Sequence, residues 1–276
     1  FLAFTQNEDI PFGVLKLPDG EFIEEAYAAI GSNPNYGYGF QQAFLGYWSG
    51  IIDPVNLDNN TNDNNIDYVS NIAPGLYSQN YLYASTGYNG KFAFNIATLY
   101  KDKLYFGLNL NSHFINYEKF TAFNETNSNE GSVVNNVIFD NSLYTQGSGF
   151  SFQLGTIAKL TDELRLGLAY DSPTWYTINE ELVQNIDSNN ADFDIGYIST
   201  IRTIFPDYKL QTPGKVTGSL AYVFGERGLI SFDYSRKDFG NIKFKPTSDI
   251  IFSSQNNIIS DNLKVASTYR VGGEYR

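Results

Sequence analysis

Leu104, Phe106, Leu108 and Leu110 alternate with Tyr105, Gly107, Asn109 and Asn111. In an extended strand the two sets point to opposite faces. One face is then apolar and the other small or polar. Leu164, Leu166, Leu168 and Tyr170 alternate in the same way with Arg165, Gly167, Ala169 and Asp171. Near the end, Val265, Tyr269, Val271 and Tyr275 share a face opposite Lys264, Thr268, Arg270 and Glu274. Three short polar turns join such stretches: Lys101-Asp102-Lys103, Thr161-Asp162-Glu163 and Gly225-Glu226-Arg227-Gly228. Each reads as a hairpin by spacing and turn chemistry.

The pattern predicts about eight strands, over 1–7, 81–100, 104–120, 142–160, 164–178, 208–224, 229–244 and 262–276. The remaining connections are long and rich in Asn, Ser and Asp, over 121–146, 245–263 and the excursion 179–212. Short turns at one rim and long loops at the other are the layout of outer-membrane barrels. The expected fold is therefore an all-β transmembrane antiparallel β-barrel. Aromatic residues near the strand ends fit interface belts: Tyr100 with Tyr105, Tyr222 with Phe224, and Tyr170 with Trp175 and Tyr176. Packing of the same rings across a soluble sheet is the other reading of those pairs.

Residues 8–80 break the alternation. Phe22, Ile23, Ala26, Tyr27 and Ile30 recur at helical spacing behind Glu21, Glu24 and Glu25, where a helix dipole favours acids. Phe40, Phe44 and Trp48 follow at i, i+4 and i+8, beside Leu45 and Ile52. The prediction is two short amphipathic helices in an extracellular insertion within one barrel domain spanning 1–276. A polar run from Asp58 to Asn65 then reads as a loop.

Composition sharpens the class. Aromatic residues make up 16% and charged residues only 17%, against roughly 25% charged in soluble domains. No apolar run approaches the ~18–20 residues that a spanning helix needs. Cysteine is absent, which excludes disulfides and thiol chemistry. The net charge of −12 argues against nucleic acid as a partner. The chain opens at Phe1 and has no Met, so a mature or truncated segment is expected.

The candidate chemistry is sparse. His113 is the one histidine and falls on the polar face of its strand, expected to line a lumen. It reads as a hydrogen-bonded lumen residue or as a pH-sensitive gate. Arg165, Lys264, Arg270 and Glu274 would be costly toward lipid and are assigned inward, as lumen salt bridges or as contacts to a ligand head group. Asp53, Asp58 and Asp63 could offer oxygen ligands to Ca²⁺, but their spacing is not that of an EF-hand, so a solvated loop stands beside that reading. No Gly-x-Ser-x-Gly element and no nucleophile–base pair is visible, so neither enzyme activity nor a cofactor is expected. The Phe40, Phe44, Leu45 and Trp48 stripe, with Phe22 and Tyr27 on the facing helix, either packs helix on helix or leaves a groove for a hydrophobic ligand.

Gly147-Ser-Gly-Phe-Ser-Phe-Gln-Leu-Gly155, followed by Leu164-Arg-Leu-Gly167 and Ser172-Pro173-Thr174, resembles a paired-strand segment of the FadL family of outer-membrane hydrophobic-compound transporters. Leu210-Gln-Thr-Pro213, Phe232-Asp233-Tyr234 and Tyr269-Arg-Val-Gly-Gly-Glu-Tyr275 are similar to later strands of that family. The resemblance implies a barrel of about 14 strands with a hatch in its lumen. It implies passage of hydrophobic small molecules such as long-chain fatty acids, in a bacterial outer membrane. Strands and a hatch before Phe1, and strands after Arg276, are expected on this ground. A true eight-stranded barrel is the alternative. Expected partners are a hydrophobic ligand, outer-membrane lipid and lipopolysaccharide, and protein subunits if the barrel belongs to an envelope complex.

Overall fold

The alternation becomes antiparallel sheet. The structure is a computed structural model that describes residues 23–32, 37–54, 68–190 and 200–275. In chain order the helices are α1 (Ile23–Ser32), α2 (Gly37–Trp48) and α3 (Ile250–Asn262). The strands are β1 (Ile52–Pro54), β2 (Tyr68–Ser70), β3 (Tyr77–Tyr100), β4 (Leu104–Asn127), β5 (Asn136–Lys159), β6 (Leu164–Asp171) and β7 (Trp175–Ser188). They continue as β8 (Thr200–Ile204), β9 (Tyr208–Gln211), β10 (Lys215–Val223), β11 (Gly228–Asp238), β12 (Lys243–Lys245) and β13 (Val265–Tyr275). The all-β expectation holds, and no described helix is long and apolar enough to cross a membrane. The predicted strand 1–7 and the polar run from Asp58 to Asn65 lie outside the described residues.

The chain divides into two units. In the one that includes Gly87–Asn116, Thr145–Asn179 and the stretch from Pro206, strands follow the hydrogen-bonded order β12-β9-β7-β5-β6-β10-β11-β13. β4 lies beside β5, and β3 beside β4. Among the described residues β3 pairs only with β4, and β13 only with β11. The three predicted hairpin turns sit together at one end, where Lys159 N–H donates to Lys103 O at 2.8 Å and Val223 N–H to Glu163 O at 2.9 Å. The first of them holds Lys101 at φ 49° and Asp102 at φ 54°. That left-handed pair matches the twist of a two-residue hairpin without the usual Asn-Gly.

Three long predicted strands are each interrupted. The stretch 164–178 breaks at Ser172-Pro173-Thr174, 208–224 at Thr212-Pro213-Gly214, and 229–244 at a 3-10 turn, Phe239–Asn241. At the first two, proline has no N–H for the ladder, so the pairing cannot run through. The breaks lie side by side and are stitched by side chains. Ser172 Oγ accepts from Phe152 N–H at 2.9 Å, Thr212 Oγ1 from Thr174 N–H at 3.0 Å, and Asp238 Oδ1 from Gly240 N–H at 3.1 Å.

The predicted loop 245–263 holds α3 instead. Asp249 caps it, its carboxylate accepting from Ile251 and Phe252 N–H. The predicted loop 121–146 is mostly strand, because β4 runs on to Asn127 and β5 starts at Asn136. The excursion 179–212 contains the far end of β7 together with β8 and β9.

The other unit contains α1, α2, β1, β2, β8 and the far ends of β3, β4, β5 and β7. Its core is Tyr27, Ile30, Phe44, Leu45, Ile51, Ile52, Ile72, Val134, Val137, Ile186 and Ile201. Asparagine side chains serve here as backbone stitches. Asn129 accepts from Leu76 N–H and donates to Ala73 O. Asn189 accepts from the N–H groups of Asn135 and Asn136 and donates to Val133 O. An amide carries a donor and an acceptor in one plane, so it can substitute for a strand neighbour. This is why Asn-rich stretches that read as loops carry ordered structure.

Candidate functional site

The register assigns the residues of β5, β6, β10, β11 and β13 to a face, because residues opposite one another in an antiparallel pair point the same way. One face carries the rows Leu154–Tyr170–Val216–Arg236–Ser267, Thr156–Leu168–Gly218–Tyr234–Tyr269 and Ala158–Leu166–Leu220–Phe232–Val271. It is apolar apart from Arg236 and Ser267 at the Tyr170 rung, and it is open: Leu168 is 57% exposed and Val271 74%. Near its upper edge Phe152 packs against Tyr170 and Trp175 at 6.1 and 6.3 Å between ring centres.

The opposite face is polar. Its rows are Gln153–Asp171–Lys215–Lys237, Gly155–Ala169–Thr217–Ser235–Thr268 and Ile157–Gly167–Ser219–Asp233–Arg270, then Lys159–Arg165–Ala221–Ser231–Gly272. Asp171 and Lys215 form an ion pair at 2.8 Å. β4 extends the same face. Asn109 donates to Gln153 at 2.8 Å, and Asn111 to Ser151 at 3.3 Å, while His113 Nε2 lies 2.8 Å from Ser151 Oγ. Asn111 is 1% exposed, and its Oδ1 has no hydrogen-bond partner among the described residues.

The structure thus brings the sequence-predicted His113, Arg165 and Arg270 onto one face and gives each a named row or partner. Glu274 sits opposite Leu229 at the turn end. Lys264 lies before β13 and donates to Asp261 O at 2.6 Å.

Two further features shape this face. A depression of about 410 Å³ lies over Gly107, Gly155, Gly167, Ala169 and Ser219, beside Tyr105. A Cβ added to Gly107 or Gly155 would meet nothing within 4 Å, so these glycines leave space rather than relieve contact. Towards the far end the face turns aromatic. Tyr176 and Ile178 of β7 sit opposite Leu210 and Tyr208 of β9, and Leu210 opposite Phe244 of β12. Tyr176 packs edge-on to His113 at 5.7 Å. Phe252 of α3 stacks on Phe244 at 5.8 Å, with an interplanar angle of 20°. Gly147 and Gly149 admit this layer, since a Cβ there would come within 2.7 Å of Ile178 and 2.6 Å of Tyr176. The sequence signal was present: two glycines on alternate positions of one strand mark a close approach.

In the helical unit, Tyr27, Phe44 and Leu45 are all 0% exposed. They form core rather than an open groove, and the Tyr27 hydroxyl donates to Gln184. Phe40 and Trp48 are partly buried at its margin, with Tyr47 and Tyr68. Phe22 lies outside the described residues. Burial, aided by Asp53, raises the Tyr47 pKa; burial and then Tyr47 raise that of Tyr68 well above the usual phenol range. The Tyr68 hydroxyl is buried without a hydrogen-bond partner among the described residues. Asp53 is exposed and accepts from Asn71 at 2.7 Å, while Asp58 and Asp63 lie outside the described residues.

No family model matches the chain, and no curated protein matches it in sequence. Solved structures do match. The Ralstonia pickettii toluene transporter TbuX is similar at 15% identity with a TM-score of 0.37, covering 82% of this chain and 71% of that one. The Pseudomonas putida toluene transporter TodX is similar at 12% identity with a TM-score of 0.32, covering 75% of this chain and 72% of that one. The CymD monoaromatic hydrocarbon channel is similar at 12% identity with a TM-score of 0.34, covering 72% of this chain and 70% of that one.

Proposed function

We propose that these strands form the wall of a bacterial outer-membrane β-barrel that conducts hydrophobic small molecules, long-chain fatty acids among them. The observation that carries the membrane reading is the sorting of side chains by face. Leu, Val, Phe and Tyr dominate the open face, with Arg236 its charged member at the Tyr170 rung, while Asp171, Lys215, Asp233 and Arg270 occupy the other. A soluble sheet would bury its apolar face and expose its polar one; only lipid rewards the reverse. In lipid the edges of β3 and β13 must also be hydrogen-bonded, so a closed wall belongs to this reading.

The conduction path is then the His113 face. A ligand would pass the aromatic layer of Tyr176, Tyr208, Phe244 and Phe252 and reach the glycine-lined depression. Stacking and dispersion would hold an apolar molecule, and no covalent chemistry is needed. Phe40 and Trp48 at the margin of the helical unit are the residues of the predicted stripe that remain partly open, and they suit first contact with such a ligand.

The membrane reading is tested within one strand. Leu220→Arg puts a charge on the open face and should cost about 2–4 kcal/mol in bilayer insertion. Ser219→Arg, one residue away, puts it on the other face and should be tolerated. Equal tolerance of both would defeat the reading. Transport is tested by uptake of a radiolabelled long-chain fatty acid and of toluene into cells expressing the full-length protein. No uptake above background for either, with normal insertion, would defeat it.

A further inference from the structure

Above the aromatic edge of the open face, the side chains change abruptly. Trp175 lies opposite Gln211, and Gln211 opposite Lys243; one rung further, Thr177 lies opposite Lys209, and Lys209 opposite Lys245. All share the Leu168 face, because Trp175 packs with Phe152 and Phe152 with Tyr170. Lys209 and Lys245 are thus a directly opposed cross-strand pair of like charge, an arrangement that destabilises a sheet. Among the described residues neither they nor Lys243 belongs to an ion pair. Asp207 and Asp238 stand nearest in register, but they accept from Asn179 and from Gly240 N–H and form no ion pair with these lysines. In a chain of net charge −12, three clustered ammonium groups outside any ion pair offer a ready site for a counter-charge from elsewhere.

Position supplies it. From the Leu164 rung to the Trp175 rung is eleven residues of nearly continuous strand. At ~3.3 Å per residue and a tilt near 40° that is a rise of roughly 28 Å. An apolar band is about 25 Å tall, so the lysines stand just beyond it, at headgroup depth. We propose that Lys209, Lys243 and Lys245 form an outward-facing site for the phosphate of an anionic membrane lipid, with Trp175 and Phe152 against its acyl chains. This rests on the membrane reading above and adds a ligand to the outer side of the wall.

The test uses the full-length protein in phosphatidylcholine nanodiscs with and without bis-phosphorylated lipid A. Retained lipid A is counted by native mass spectrometry after extraction, and thermal stability is measured in parallel. Wild type should retain lipid A and melt higher with it. Lys209→Gln with Lys245→Gln should weaken retention by about fivefold for each lysine removed. Lys209→Arg with Lys245→Arg should restore it. Lys101→Gln with Lys103→Gln, at the opposite rim, should leave it unchanged. Retention by the glutamine pair equal to wild type would overturn the site. Inorganic phosphate reproducing the stabilisation in phosphatidylcholine alone would overturn the lipid as ligand. Failure of wild type to enter the bilayer would instead overturn the membrane reading.

Discussion

Asn256 of α3 closes on Phe244 of β12 as a neighbouring strand would. Its Oδ1 accepts from Phe244 N–H at 2.8 Å, and its Nδ2 donates to Phe244 O at 2.9 Å. The same two elements are joined a second time, through Phe252 on the Phe244 ring. A three-residue strand that would otherwise end in open backbone is thereby tied to a helix. Asn256→Ala should cost about 1–3 kcal/mol locally, the price of two unpaired backbone groups. Hydrogen exchange at the Phe244 amide reads it directly, and unchanged protection would show that the stacking alone holds α3.

The depression over Gly107 and Gly155 is open space, and neither glycine has the positive φ that would forbid a side chain. Gly155→Phe should therefore fold, with stability altered by less than about 1 kcal/mol, while uptake of a hydrophobic compound falls severalfold. Normal uptake with the ring in place would move the conduction path away from this face.

Phe44→Ala should destabilise the helical unit by about 3–5 kcal/mol, as expected for a large side chain deleted from a closed core. Trp48→Ala, at the margin, should cost less and reduce uptake more. The pair separates packing from ligand contact, which a charge at Phe44 cannot do because it would unfold the core first. Limited proteolysis and uptake on the same preparations decide the matter.

Arg202 grips Glu181 with two bonds, at 2.7 and 2.8 Å. This lowers the Glu181 pKa, first through the hydrogen bond and then through charge. A depressed carboxyl stabilises the fold above its unfolded pKa, and the contribution is lost as pH falls through the folded value. Acid should therefore loosen the β7–β8 pairing. Arg202→Gln should flatten that dependence, followed by exchange at the β8 amides between pH 7 and pH 3. The pair is exposed, so the effect is small and its direction is the observable.

The turn at Lys101-Asp102 holds two ordinary residues in the left-handed region. Lys101→Asn with Asp102→Gly should raise stability by about 1–2 kcal/mol, since those residues adopt that backbone more readily. A melting temperature no higher than wild type would mean that packing at this rim offsets the strain.

The alternation alone determined the run of strands around the three hairpin turns, the faces of those strands and the turns themselves. That information is local: a period of two is written in consecutive residues, and a tight turn needs only the two strand ends it joins. It placed His113, Arg165 and Arg270 on the polar face before any contact was known. The tertiary structure decided the rest. Pro173 and Pro213 break strands that the alternation carried straight through, and only pairing between distant strands put the breaks side by side. Asparagine suggested loops, yet Asn129, Asn189 and Asn256 are stitches, because a carboxamide can bond whichever backbone folding brings beside it. The stripe containing Phe44 was visible as a helix face; its burial depended on Ile186 and Ile201, more than a hundred residues away. The lysines at 209 and 245 lie far apart in the chain and became a pair only when β9 met β12.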